Sequence, residues 1–211
     1  MAQFRRPASL TPAQQEQIEG GTDPALKDQI AHDSAAALLR ETRGTVDPSA
    51  VERILRLAES EGLDDMAALW SGAPAVSLPG ALWRLYVLHT WVQQQTAEVR
   101  RRYQIGTQSA PGLRYRSGIA NPPDLDDMRR TLDEILRGAF TGDLSMALLR
   151  ASAVAMLSAY GTAHLADAPG SGADDPSADG AGRITMQADR LHRLGEDLEA
   201  AGRAAAGGSL F

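Results

Sequence analysis

The sequence predicts an all-α fold: a single bundle of six to seven helices around a long central helix at about 78–103, plus a tethered C-terminal helix. Three observations lead there. Apolar residues recur at helical spacing through most of the chain, the period with which a helix buries one stripe. Thr11-Pro12, Asp23-Pro24 and Asp47-Pro48 each join a side-chain acceptor to a proline. That pair starts a helix well, because the acceptor satisfies an orphan N–H and the proline φ is already helical. No stretch alternates apolar and polar residues in the manner of a half-buried strand.

The elements follow in order. Thr11 and Gln14 fit a capping box for a short helix at 12–19, which Gly20-Gly21 ends. A second helix spans about 24–41, with Leu26, Ile30, Ala37 and Leu38 on its apolar side. A third, 48–60, places Val51, Ile54, Leu55 and Ala58 on one face, and a short fourth covers 63–70.

The fifth, 78–103, carries Trp83 and Trp91, two of the three tryptophans. Leu78, Leu82, Leu85, His89, Val92, Thr96 and Val99 form one stripe on it; Trp83, Val87 and Trp91 form another. A helix apolar on more than one side is expected to be surrounded by others. Residues 104–123, with three prolines and three glycines, read as a loop.

A sixth helix at 124–137 uses Leu125, Met128, Leu132, Ile135 and Leu136, with Gly138 as its stop. The seventh, 143–166, is rich in Ala, Leu and Met. Residues 167–182 have the Gly, Ala, Asp, Ser and Pro composition of a linker. The organisation expected is a helical domain at 1–166, that linker, and a C-terminal helix and tail at 183–211. Ile184, Leu191 and Leu198 recur every seven residues on the last helix, with Leu194 between them. This stripe is an interaction-face candidate that could dock on the bundle or on another copy; docking within the chain is favoured.

Composition narrows the function classes. At 211 residues and 43% hydrophobic, the chain can bury a sizeable core. A net charge of -6 argues against bulk attraction to nucleic acid or anionic lipid. Cysteine is absent, which excludes disulfides, thiolate metal sites and cysteine nucleophiles. Lys27 is the only lysine and Asn121 the only asparagine, a bias pointing to a high-G+C bacterial gene. The N-terminal MAQFRRPASL lacks the apolar run of a signal peptide, so a cytoplasmic location is expected, with no membrane partner.

Arg100, Arg101, Arg102, Arg114 and Arg116 form an island without an acid among them, interleaved with Tyr103 and Tyr115. Guanidinium groups grip phosphate bidentately and tyrosines stack on bases, so the island is the candidate for anion or nucleic-acid binding. The plainer reading is favoured: these arginines complement a helix C-terminus and pair with acids elsewhere.

For metals, Asp189, His192 and Glu196 share a helical face, as do Asp28 and His32, but the paired Glu-x-x-His of a di-iron bundle does not occur. No metal site and no cofactor are expected. His89 and His164 sit among apolar neighbours and read as core histidines. Asp124, Asp126 and Asp127 suit a helix N-terminus better than acid–base chemistry. Phosphate-loop and nucleophile-elbow motifs are absent, and no catalytic residue is nominated.

Three stretches, GGTDP at 20–24, LPGALWR at 78–84 and LRGAFTGDL at 136–144, resemble an actinobacterial family of all-helical proteins of about this length, whose function is uncharacterised. The resemblance covers about residues 12–166. Members are sometimes labelled after the RNA polymerase β subunit, a label this sequence does not support, since that subunit is far longer and rich in β structure. The resemblance implies no catalytic residues.

The sequence therefore leads to a non-enzymatic helical interaction or adaptor protein of the bacterial cytoplasm, with another protein as partner. The alternative is a transcription- or nucleic-acid-associated regulator that binds polyanions through 100–116. A small-molecule-binding bundle with His89 and His164 in its pocket ranks third. The oligomeric state stays open.

Overall fold

The computed structural model describes residues 24–44, 69–119, 124–167 and 179–210. Seven helices lie within them: α1 (Pro24–Gly44), α2 (Leu78–Gln94), α3 (Thr96–Ser109), α4 (Pro111–Ser117), α5 (Leu125–Thr141), α6 (Leu144–Asp167) and α7 (Asp179–Ala206). No strand occurs among the described residues, so the all-α expectation holds. The helices expected at 12–19 and 48–60 lie outside these residues. Of the one expected at 63–70, Leu69 and Trp70 are described, and both are helical.

The packing centre is α6, not the segment 78–103. Helices α2, α3, α4, α5 and α7 all pack against α6, and its residues 151–159 are buried without exception. The reason is size: Ala151, Ser152, Ala153, Ala155 and Ala159 let neighbouring backbones come close from several sides. By length and composition Leu144–Ala166 could cross a membrane, with hydropathy 1.3, but 72% of its most apolar window is buried inside the bundle.

The stripe Leu78, Leu82, Leu85, His89, Val92, Thr96 and Val99 is buried at every position, yet it belongs to two helices rather than one. Gln95 leaves helical geometry at φ -126° and ψ 37°, ending α2 and opening α3. The expected loop 104–123 is also largely helical: α3 runs on to Ser109, and α4 follows from Pro111. Gly106, read as a breaker, is instead a packing position. A Cβ there would lie 1.9 Å from the Leu157 carbonyl oxygen of α6, so glycine is what lets the two backbones touch.

Two start signals appear as expected. Pro24 opens α1. At α5 the Asp124 carboxylate accepts from Asp127 N–H at 2.6 Å, and the Asp127 carboxylate accepts from Asp124 N–H at 3.4 Å, a reciprocal capping box. Gly138 does not stop this helix. The buried Ala139 and Phe140 carry it one turn further, to Thr141.

Helix α1 turns a different face inward from the one expected. Ala31, Ala35 and Leu39 are buried, and the Trp70 indole donates to Ser34 Oγ at 3.0 Å. Leu26 and Ile30 are 49% and 46% exposed. Two apolar stripes share this helix, and the smaller residues of one allow the close approach.

Helix α7 docks on α6 within the chain, antiparallel to it. A Cβ on Gly202 would meet the Leu149 side chain at 3.0 Å and the Ser145 carbonyl oxygen at 3.3 Å. One on Gly195 would meet Met156 Cγ at 2.6 Å and the Ser152 carbonyl oxygen at 3.4 Å. Ser145 Oγ also donates to the Gly202 carbonyl at 2.8 Å. Small residues seven apart on each helix thus face one another, and the same register brings Ala188 opposite Ala159. Helix α7 begins at Asp179, four residues before the expected 183; residues 168–178 of the expected linker lie outside the described set.

Candidate functional site

The arginine island is dispersed by the helices that carry it. Successive residues on a helix diverge by about 100°, so Arg100, Arg101 and Arg102 point apart; Arg101 is exposed, and the other two are half-buried. Arg102 Nε donates to Glu98 at 2.8 Å, and its guanidinium lies 6.0 Å from the Trp91 ring centre, the outer limit of a cation–π contact. Arg116 reaches from α4 to Glu199 of α7 at 3.1 Å. Arg114 lies 4.7 Å over the ring of Tyr115, which is 77% exposed.

The interleaved Tyr103 is a structural residue. It is fully buried, and its hydroxyl sits 2.7 Å from Ser117 Oγ. Ser117 Oγ donates to the Arg114 carbonyl at 2.7 Å and accepts from Ile119 N–H at 3.2 Å; Tyr103 is therefore the donor in their shared bond. Burial pushes the Tyr103 hydroxyl above its ordinary value of 10.0, and the bond to Ser117 and the nearby Arg114 charge only partly oppose it. Arg150 of α6 donates to the Ser117 carbonyl at 3.2 Å, fixing the end of α4 where Gly118 turns at φ 73°.

The interaction stripe on α7 is largely spent inside the chain. Leu198 is fully buried, Leu191 is 8% exposed, and Leu194 is half-buried against the core. Ile184 is half-buried near the start of the helix. What sequence spacing missed is the role of Gly195 and Gly202, and of the two acids that tie α7 down. Asp197 accepts from Arg84 Nε at 2.7 Å, while Glu199 takes Arg116 and Arg203, at 3.1 and 2.9 Å. The signal was the seven-residue spacing of Ala188, Gly195 and Gly202.

The carboxylate–histidine face of α7 is engaged locally. Asp189 pairs with Arg193 at 3.0 Å. His192 stands 3.6 Å from Glu196 and edge-on to Tyr160. Among the described residues no three His, Asp or Glu side chains gather at one point. The two histidines expected in the core differ: His89 is 5% exposed, whereas His164 is exposed near the end of α6.

His89 belongs to a polar cluster that joins α2 to α5. Its Nε2 lies 2.7 Å from Asp133 Oδ1 of α5, and Gln93 Nε2 donates to the same oxygen at 2.8 Å. A carboxylate oxygen only accepts, so His89 carries its proton on Nε2. Four residues earlier on α5, Arg129 Nε donates to Thr96 Oγ1 at 2.9 Å.

No family model matches the chain, and neither a curated protein nor a solved structure does.

Proposed function

We propose that this chain is a non-enzymatic helical interaction protein, an adaptor of the bacterial cytoplasm whose partner is another protein. The observation that carries the reading is the exposed side of α1. Residues 24–30 are exposed throughout, and Leu26 and Ile30, four apart and on one face, are about half exposed. An apolar pair at this spacing on an exposed helix end is the anchor pattern of helix-in-groove recognition. The groove beneath α7, by contrast, is filled by α7 itself, so a partner is read on α1.

The reading is tested by capturing partners from native lysate with the tagged full chain and with Leu26→Glu/Ile30→Glu. Both positions are exposed, so the variant retains the fold. A partner held by the wild type and lost by the variant supports the reading. A partner set identical for the two removes α1 as the surface.

The second reading, a transcription- or nucleic-acid-associated regulator, rests on exposed Tyr115 beneath Arg114 and on exposed Arg101. It is the weaker one, because Arg102 and Arg116 are already paired with Glu98 and Glu199. The actinobacterial resemblance accords with either reading.

A further inference from the structure

The break between α2 and α3 falls where the local sequence does not ask for one. Residues 93–98, Gln-Gln-Gln-Thr-Ala-Glu, contain no glycine or proline. Glutamine, alanine and glutamate are good helix formers, and only the β-branched Thr96 is mildly unfavourable. Hydrogen bonds of helical register meet at Gln95 from either side: Gln95 N–H donates to the Trp91 carbonyl at 2.9 Å, and Val99 N–H donates to the Gln95 carbonyl at 3.0 Å. The one local contribution is the Thr96 hydroxyl, which donates back to the Val92 carbonyl, a back-bond that bends helices; contacts from outside the segment add to it.

The contacts that hold the break from outside come from one turn of α5. Arg129 donates to Thr96, the first residue of α3, and Thr96 Oγ1 in turn donates to the Val92 carbonyl at 2.7 Å. Asp133, one turn on, takes His89 and Gln93 from the last two turns of α2. A cation thus holds the far side of the joint and an anion the near side. Arg129 is exposed and the Asp133 side chain is 37% exposed, so both are reached from solvent.

We propose that Arg129 and Asp133 form a releasable clamp that holds residues 78–109 as two helices, and that opening it lets α2 and α3 anneal towards one. The clamp sets the orientation of two packing units. Helix α2 carries the contacts to α1 and α5, and α3 carries the extensive contact with α6. A charged group brought to this face of α5 competes for Arg129 or Asp133 directly, so an event at the surface changes how α1 and α2 sit on the bundle. This inference does not depend on which partner the protein binds.

The native chain has no cysteine, which makes site-specific spin labelling clean. Labels at Val87→Cys and Gln104→Cys, both exposed positions, straddle Gln95. In a continuous helix their Cα atoms would be about 26 Å apart, at roughly 1.5 Å per residue. Distances are measured by double electron–electron resonance in the otherwise native full chain, in Arg129→Ala/Asp133→Ala, and in Thr96→Val. The clamp requires a population at longer distance in the double variant, and a smaller shift the same way in Thr96→Val. If the double variant does not fold, Arg129→Ala alone, which leaves the bond from Thr96 to the Val92 carbonyl in place, decides. A folded variant whose distance distribution matches the native one overturns the proposal and leaves the Thr96 back-bond and packing against α6 as the cause of the break.

Discussion

Gly106 of α3 and Gly161 of α6 meet backbone to backbone. A Cβ on Gly106 would lie 1.9 Å from the Leu157 carbonyl oxygen, and one on Gly161 would lie 1.8 Å from that of Arg102. Neither obstacle is a side chain that can rotate away. Gly106→Ala and Gly161→Ala must therefore push the helices apart, and each is expected to cost about 3 kcal/mol, the upper end for overpacking. Urea unfolding with an unchanged m-value measures it. Gly112→Ala is the control, since its Cβ would meet nothing within 4 Å; it is expected to be neutral or stabilising by up to about 1 kcal/mol.

The seam between α6 and α7 should be more forgiving. At Gly195 the nearest obstacle is Met156 Cγ, part of a flexible side chain. Gly195→Ala is expected to cost about 1 kcal/mol, less than Gly161→Ala, because methionine repacks readily. Equal losses at the two sites in parallel urea titrations would contradict this ordering.

Stability should fall at alkaline pH through Tyr103. Its hydroxyl titrates above 10.0 in the folded chain, chiefly because it is buried. As pH rises past the ordinary value, the unfolded chain loses this proton first, and the folded chain then holds more protons. Unfolding free energy must decline across that window, whereas below it the contribution is complete. Tyr103→Phe is expected to remove this part of the alkaline slope and to cost about 1 kcal/mol at neutral pH, through the lost bond to Ser117. Unfolding curves at neutral and alkaline pH for both chains check the two effects.

The capping box at Asp124 offers a local measure. Asp124→Ala removes the acceptor for Asp127 N–H and is expected to cost about 1 kcal/mol. The surface pair Arg84–Asp197, at 21% and 39% side-chain exposure, is expected to show a coupling below about 1 kcal/mol in a double-mutant cycle, weakened by salt. A coupling of several kcal/mol would mean that this pair, not the Gly/Ala seam, holds α7.

Much of the fold was legible because hydrophobic spacing is a local signal. The buried stripe from Leu78 to Val99 and the start of α5 at its three aspartates follow from spacing and capping alone. The departures have one physical source. Gly106 and Gly138 read as stops, yet one is a packing contact and the other is carried past by buried Ala139 and Phe140. Gln95 read as helix interior, yet α5 grips the chain on either side of it. Leu26 and Ile30 read as core because their spacing matches that of a buried face, but Ala31, Ala35 and Leu39 fit the bundle more closely. Each outcome is decided by a neighbour distant in sequence, as is the pairing of Arg116 with Glu199.

The proposal that this helical chain acts by binding another protein is tested by capture from native lysate split into nuclease-treated and untreated halves, read by mass spectrometry. Direct protein binding requires the same protein partners in both halves. Partners lost on nuclease treatment would contradict it and place the function with the arginines at 100–116.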